Sequence, residues 1–179
     1  MADAPRPVAL GRSIEEELAR AGAKLDHVAV AAPRIRELLP LYRDVLGGRF
    51  VLGGDNPRVG YRGLQLCYAN GSKIELLEPL RGSAFLDSFF RRGGGVHHLA
   101  FEVADLDAIY GTLEASGHRL TGLHRDDPWR QEVFIHPKSA QGVLVQLVQV
   151  AAENEPDLPK TLDLVLAGRG MDGSGIPSP

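Results

Sequence analysis

Apolar and polar residues alternate over "LDHVAV", Leu25 to Val30, and the same alternation returns over "VHHLAF", Val96 to Phe101. Side chains of a strand point to opposite faces in turn, so each stretch predicts a half-buried strand with a histidine inside its apolar run. After the first, "PRIRELLPLYRDVLGG" repeats apolar residues at helical spacing, with Pro33 at its start and Gly47-Gly48 at its end, which predicts a helix. "RFVLGG", "GLQLCYANG" and "SKIELLEPL" then predict three short strands, the last two joined by a hairpin at Asn70-Gly71. The second stretch is followed by the same order: a helix over "DLDAIYGTLEASG", then strands in "HRLTGL", "EVFIHP" and "GVLVQLVQV". The pattern predicts two copies of one βαβββ unit.

A single offset relates the copies. His98 follows His27 by 71 positions, and Gln146 follows Glu75 by the same 71. All four sit inside apolar runs, where a buried polar group without a partner is costly. A lone histidine in such a strand is ordinarily a core residue with a satisfied hydrogen bond. Four polar residues at matched places in two repeats favour another reading. His27, Glu75, His98 and Gln146, projecting from four strands toward one concave surface, offer two imidazoles, a carboxylate and an amide oxygen. Such donors suit a divalent ion of Co, Ni, Mn, Fe or Zn. Asp26 and His97 precede the histidines, and alternation turns them to the opposite face in structural or supporting roles. Glu78, three residues after Glu75, is assigned to the surface on the same ground. His136, before Pro137, is read as a loop anchor, and His118 and His124, near turns, as solvated.

Composition narrows the partners. With 179 residues, a formal charge of -3 and no dense Lys/Arg block, the chain carries no electrostatic footprint for nucleic acid, and a small molecule is the expected partner. Cys67 is the only cysteine, which excludes an intramolecular disulfide and a cysteine-rich zinc site and fits a reducing, cytoplasmic setting. No run approaches a membrane span, and the start has no apolar core of signal-peptide length, so no membrane partner is expected. Three regions follow: an extension over 1–23, a core over 24–150 with modules 24–80 and 96–150, and a tail over 151–179. The extension holds a helix in "SIEEELARAG", where Ser13 and Glu16 form a capping box. In the tail, "KTLDLVLAG" predicts a short helix whose Leu162, Leu164, Val165 and Leu166 dock on the body or on a second subunit.

The motifs "LDHVAVAAP", "LYRDVLGG", "SKIELLEPL", "GGGVHHLAFEV" and "FIHPKSAQGVLVQL" span roughly Lys24 to Val150. Together they resemble the vicinal oxygen chelate superfamily, which includes glyoxalase I, methylmalonyl-CoA epimerase, extradiol dioxygenases and bleomycin-resistance proteins, and within it the epimerases most. The resemblance implies an α+β fold in which the two modules pair into a curved mixed sheet around a cleft. It also implies a homodimer and a divalent metal in the cleft, with ligands at His27, Glu75, His98 and Gln146.

Two departures stand out. Epimerases and glyoxalases typically carry a glutamate at the position of Gln146, whose amide can ligate through oxygen but cannot act as a general base. "LHRDDPWRQEV" replaces a small, glycine-containing loop and brings Trp129 forward as a substrate-pocket residue. Between Gly60 and Asn70 there is no acid, and Gln65 is the polar pocket candidate there. Glu75 and Glu132 are left as the carboxylates available to move a proton. The resulting expectation is a metal-dependent enzyme that stabilises an enolate or enediolate, with epimerase, isomerase or lyase chemistry on a carbonyl or thioester substrate, an acyl-CoA among the candidates. One alternative is a metal-poor small-molecule binding or resistance protein on the same fold. Another is an Fe(II) extradiol-type dioxygenase, which fits less well because its carboxylate belongs in the last strand, where Gln146 stands.

Overall fold

A computed structural model of the chain describes residues 22–154 and 158–168. The capping box at Ser13 and Glu16 lies outside the described residues. The first module supplies β1 (Lys24–Ala31), β2 (Arg49–Asn56), β3 (Tyr61–Cys67) and β4 (Lys73–Pro79). The second supplies β5 (Gly95–Glu102), β6 (Leu120–His124), β7 (Arg130–Ile135) and β8 (Val145–Val150). All eight form one mixed sheet, curled into a half-barrel, in the order β2-β3-β4-β1-β5-β8-β7-β6. In each module the last three strands make an antiparallel meander whose final strand runs parallel to the module's first. The modules meet where β1 and β5 pair antiparallel. This is the paired βαβββ architecture that the alternation predicts.

The helix expected after β1 is divided. Ile35–Glu37 form a 3-10 turn and Pro40–Val45 a π-helical segment. Pro40 has no N–H to give to the preceding turn and its ring crowds the carbonyl four residues back, so a regular helix cannot run through it. The wider winding shows at Leu46, whose N–H reaches the Leu41 carbonyl at 2.9 Å. The buried face survives the break: Ile35 and Leu39 pack with Leu64, Leu66 and Leu76. Between the modules lies α1 (Asp87–Arg91), too short to show a sequence period and not predicted; Leu86 before it is buried with Ala29, Ala31 and Leu77. The second module's helix, α2 (Leu106–Ala115), is regular, with the Asp105 carboxylate accepting from the Ala108 N–H at 2.9 Å. It buries Leu106 and Ile109 against Val103, Val133 and Leu147.

In the tail, α3 (Leu162–Leu166) is capped by Thr161, whose hydroxyl accepts from the Leu164 N–H at 3.3 Å. Val165 is fully buried among Ile35, Leu39, Leu64 and Leu66, with Leu162 and Leu166 beside it. Of the four apolar residues predicted to dock, only Leu164 stays exposed. The helix packs on the body of its own chain.

Candidate metal centre

β1 and β5 bury matching positions. Leu25 and Val96 are exposed, while His27 and Ala29, and at the same offset His98 and Ala100, are buried. In the antiparallel pairing His27 lies opposite Ala100, and Ala29 opposite His98. Each imidazole therefore faces a methyl group, which leaves room between the two rings. On the flanks Glu75 pairs with Ala29 and Gln146 with Ala100. Two rows cross the middle of the sheet, Glu75–Ala29–His98 and Gln146–Ala100–His27. All four polar residues are less than one-tenth exposed.

Three donor atoms converge. His27 Nε2 lies 3.3 Å from His98 Nε2 and 3.3 Å from Glu75 Oε2, and His98 Nε2 lies 3.5 Å from Glu75 Oε2. Donors about 2.1 Å from a shared ion at octahedral or tetrahedral angles stand roughly 3.0–3.4 Å apart. The triangle fits a divalent ion of that size. Outer partners aim the rings inward. His27 Nδ1 donates to Asp26 Oδ2 at 2.6 Å, and Asp26 also pairs with Lys73. The Nδ1 atoms of His98 and His97 are 2.9 Å apart, and the His97 ring packs edge-on against Phe89. Asp26 and His97 thus reach round from positions predicted to face away and set the tautomer and orientation of the two imidazoles.

Gln146 supplies an independent sign. Its Nε2 donates to Glu132 Oε2 at 2.8 Å, while its Oε1, like that of Gln65, is buried with no partner among the described residues. A carboxamide whose nitrogen is committed and whose oxygen is bare is poised to act as a ligand.

The electrostatics call for positive charge. Burial alone would lower the pKa of His27, but the Glu75 charge and the hydrogen bond to Asp26 outweigh it and raise it to about 9. Burial would raise Glu75, yet His27 dominates and holds it at about 2. At His98 burial prevails over Glu75 and lowers it to about 3. Three closely set acceptors thus hold one proton on His27, in the place where a metal cation satisfies all three.

Beside this cluster a cavity of about 240 Å³ is lined by Tyr61, Glu75, His124, Trp129, Arg130 and Glu132, among others. Trp129 is a buried wall, and its loop is fixed by Asp127, whose carboxylate accepts from the N–H groups of Trp129 and Arg130 at 2.8 and 3.3 Å. Gln65 does not line the cavity; it is buried with its amide 3.2 Å from His27 Nδ1. His124, expected in solvent, is half-buried on the wall. Glu132 is held by Gln146 on one side and by Arg130 Nε at 3.6 Å on the other, with Arg58 3.9 Å away.

Arg130, Arg58 and Tyr61 were not singled out from sequence. A signal existed for Arg130: alternation in β7 puts it on the same face as Glu132. Glu78 is not a surface residue. It accepts from the Ile35 N–H at 2.6 Å and from Arg62 at 3.0 Å, while Arg62 also grips Asp55 at 2.6 and 3.0 Å. This network ties β2, β3 and β4 to the turn after β1. His136 Nδ1 accepts from the Lys138 N–H at 3.0 Å and so anchors its loop.

Known proteins are similar to this chain over most of its length. It is 34% identical over 132 residues to the ethylmalonyl-CoA/methylmalonyl-CoA epimerase of Cereibacter sphaeroides, covering 71% of this chain and 98% of that protein. It is also 34% identical over 132 residues to the mitochondrial methylmalonyl-CoA epimerase of Dictyostelium discoideum, covering 69% and 76%. The structure of methylmalonyl-CoA epimerase from Mycobacterium tuberculosis superposes with a TM-score of 0.63 at 35% identity, over 71% of this chain and 87% of that one. A methylmalonyl-CoA epimerase in complex with methylmalonyl-CoA and NH4+ superposes with a TM-score of 0.64 at 32% identity, over 75% and 99%. Residues 26–135, more than half the chain, match the Glyoxalase/Bleomycin resistance protein/Dioxygenase superfamily, and the chain belongs to that superfamily.

Proposed function

We propose that this chain is a divalent-metal-dependent epimerase of 2-alkylmalonyl-CoA thioesters, inverting the carbon between the thioester and the free carboxylate. His27, His98, Glu75 and the bare Oε1 of Gln146 would hold the ion, whose Lewis acidity lowers the pKa of the C–H next to the thioester carbonyl. Gln146 cannot take up the proton. Its amide instead engages Glu132 at 2.8 Å, one strand away and on the cavity wall. That contact carries the proposal, because it sets a carboxylate of β7 within hydrogen-bonding distance of the β8 position that holds an amide. Glu132 removes the proton, and Arg130 and Gln146 fix its orientation. Glu75, held ionised with Oε2 toward the histidines, carries no proton to give, so the acid formed on Glu132 returns the proton, and inversion follows when the planar enolate presents its other face to it. Trp129 and Leu52 limit water at the reacting carbon.

The test is α-proton exchange of methylmalonyl-CoA in D2O, followed by NMR, with protein loaded in turn with Co, Ni, Zn, Mn and Fe(II). Exchange with interconversion of the two epimers is expected. It is lost in the His27→Ala, His98→Ala variant and falls roughly 100-fold or more in Glu132→Gln, the usual range for a general base. No exchange with any of the five metals removes the proposal. A second reading draws on the His27, His98 and Glu75 triangle, a two-histidine, one-carboxylate set of the kind that holds Fe(II) in oxygenases. Oxygen uptake over a catechol panel without proton exchange would select it.

A further inference from the structure

A cavity of about 240 Å³ is too small for a whole acyl-CoA, since drug-sized ligands already fill roughly 300–1,000 Å³. It has room for the acyl end. The pantetheine chain and the nucleotide with its three phosphates must lie outside. Next to the cavity runs an open groove of about 890 Å³, and the turn between β2 and β3 separates the two spaces. Pro57 lines both; Asn56 and Arg58 face the cavity, Val59 and Gly60 the groove.

The turn is built to keep its shape. The Gly60 N–H donates to the Asn56 carbonyl at 2.8 Å, the Val59 N–H to Asn56 Oδ1 at 3.1 Å, and the Leu80 N–H to the Gly60 carbonyl at 2.9 Å. Gly60 has φ of +93°, and a Cβ there would lie 2.3 Å from Ser83 Oγ, so only glycine fits.

The groove's charge is opposite to that of the whole chain. Arg34, Arg36, Arg62 and Arg81 line it against one carboxylate, Glu78, although the chain's net charge is -3. Arg62 and Glu78 satisfy each other, and exposed Arg34 lies near Glu37 at 3.9 Å. Arg36 and Arg81 are exposed and make no ion pair among the described residues. Unspent guanidinium groups in a concave surface attract and fork onto phosphate oxygens.

We infer that this groove binds the phosphorylated nucleotide end of a CoA thioester, with Arg36 and Arg81 as its phosphate contacts and the pantetheine chain crossing the β2–β3 turn at Pro57. The inference rests on the acyl-CoA reading above.

The experiment measures the Kd of free coenzyme A for the full chain, and competition by adenosine 3′,5′-bisphosphate. The double variant Arg36→Ala, Arg81→Ala should bind CoA roughly tenfold or more weakly, the loss of about one charge-assisted contact or more. Adenosine 3′,5′-bisphosphate should displace CoA from the native chain and not from the variant, and Co(II) affinity should stay at the native value. Native CoA affinity in the variant overturns the inference, as does an equal fall in CoA and Co(II) binding. The D2O assay separates the two proposals. Arginine-dependent CoA binding in a protein that exchanges no proton leaves the nucleotide site standing and removes the epimerase; proton exchange with arginine-independent CoA binding does the reverse.

Discussion

In the proposed mechanism Gln146 and Glu132 divide two roles, metal ligand and base, between neighbouring strands. The amide nitrogen donates to the Glu132 carboxylate and fixes it, while the amide oxygen is buried without a hydrogen bond among the described residues. Substituting Gln146→Glu sets two carboxylates within hydrogen-bonding distance, where they share a proton. We expect the variant to hold metal more tightly and the acid limb of its pH–rate profile to move upward, measured by metal titration and by exchange rates across pH. His27 makes a second prediction. Its folded pKa, about 9, stands above the ordinary histidine value of 6.5, so its contribution to stability is complete below pH 6.5 and lost as pH rises through about 9. Glu75, depressed to about 2 from 4.5, contributes fully above pH 4.5 and loses its share only in stronger acid. Chelator-treated protein should therefore lose thermal stability between pH 6.5 and 9, and metal-loaded protein, with His27 neutral at the ion, should lose less; melting curves across that window decide it. The histidines were legible in the sequence because the repeat doubles the signal. For Arg130, the first residue of β7, the only signal is alternation with Glu132, because the position 71 residues earlier holds Val59 and no charge to mark it.

Among the elements, the strands were the most legible, since alternation survives wherever one face of a sheet is buried. The first helix departs from the expectation because the apolar spacing continues on both sides of Pro40, while Pro40 itself breaks the winding. The tail shows the opposite case. Its "KTLDLVLAG" predicts a short helix despite Gly- and Pro-rich flanks, and the five residues that form it owe their order to packing, for Val165 fills the layer between the broken helix and β3. A chain ending at Val150 gives up the burial of Leu158 and Val165 and uncovers Ile35 and Leu39. At ~1.5–3 kcal/mol for each fully buried aliphatic side chain, the truncated protein should be less stable by about 3 kcal/mol or more. Urea unfolding of the two chains tests this, and equal midpoints would mean that α3 adds nothing to the fold.

At the scale of the whole molecule, the candidate site exists only where the modules join. Each contributes one histidine and one flanking candidate, Glu75 or Gln146, and the triangle of His27, Glu75 and His98 closes across the β1–β5 seam. An ion held there binds the paired sheet and not either half, so its binding free energy adds to the stability of the pairing itself. With free metal at 100 times Kd the gain is about 2.7 kcal/mol, and it grows with the logarithm of concentration. We expect loading with Co(II) to raise the unfolding midpoint of the native chain in this concentration-dependent way. Because the two histidines come from different modules, His27→Ala and His98→Ala should each remove the gain almost completely, although neither residue belongs to the same half. A stabilisation that persists in one single variant would place the ion within one module, and the seam would then be a packing interface with two buried histidines.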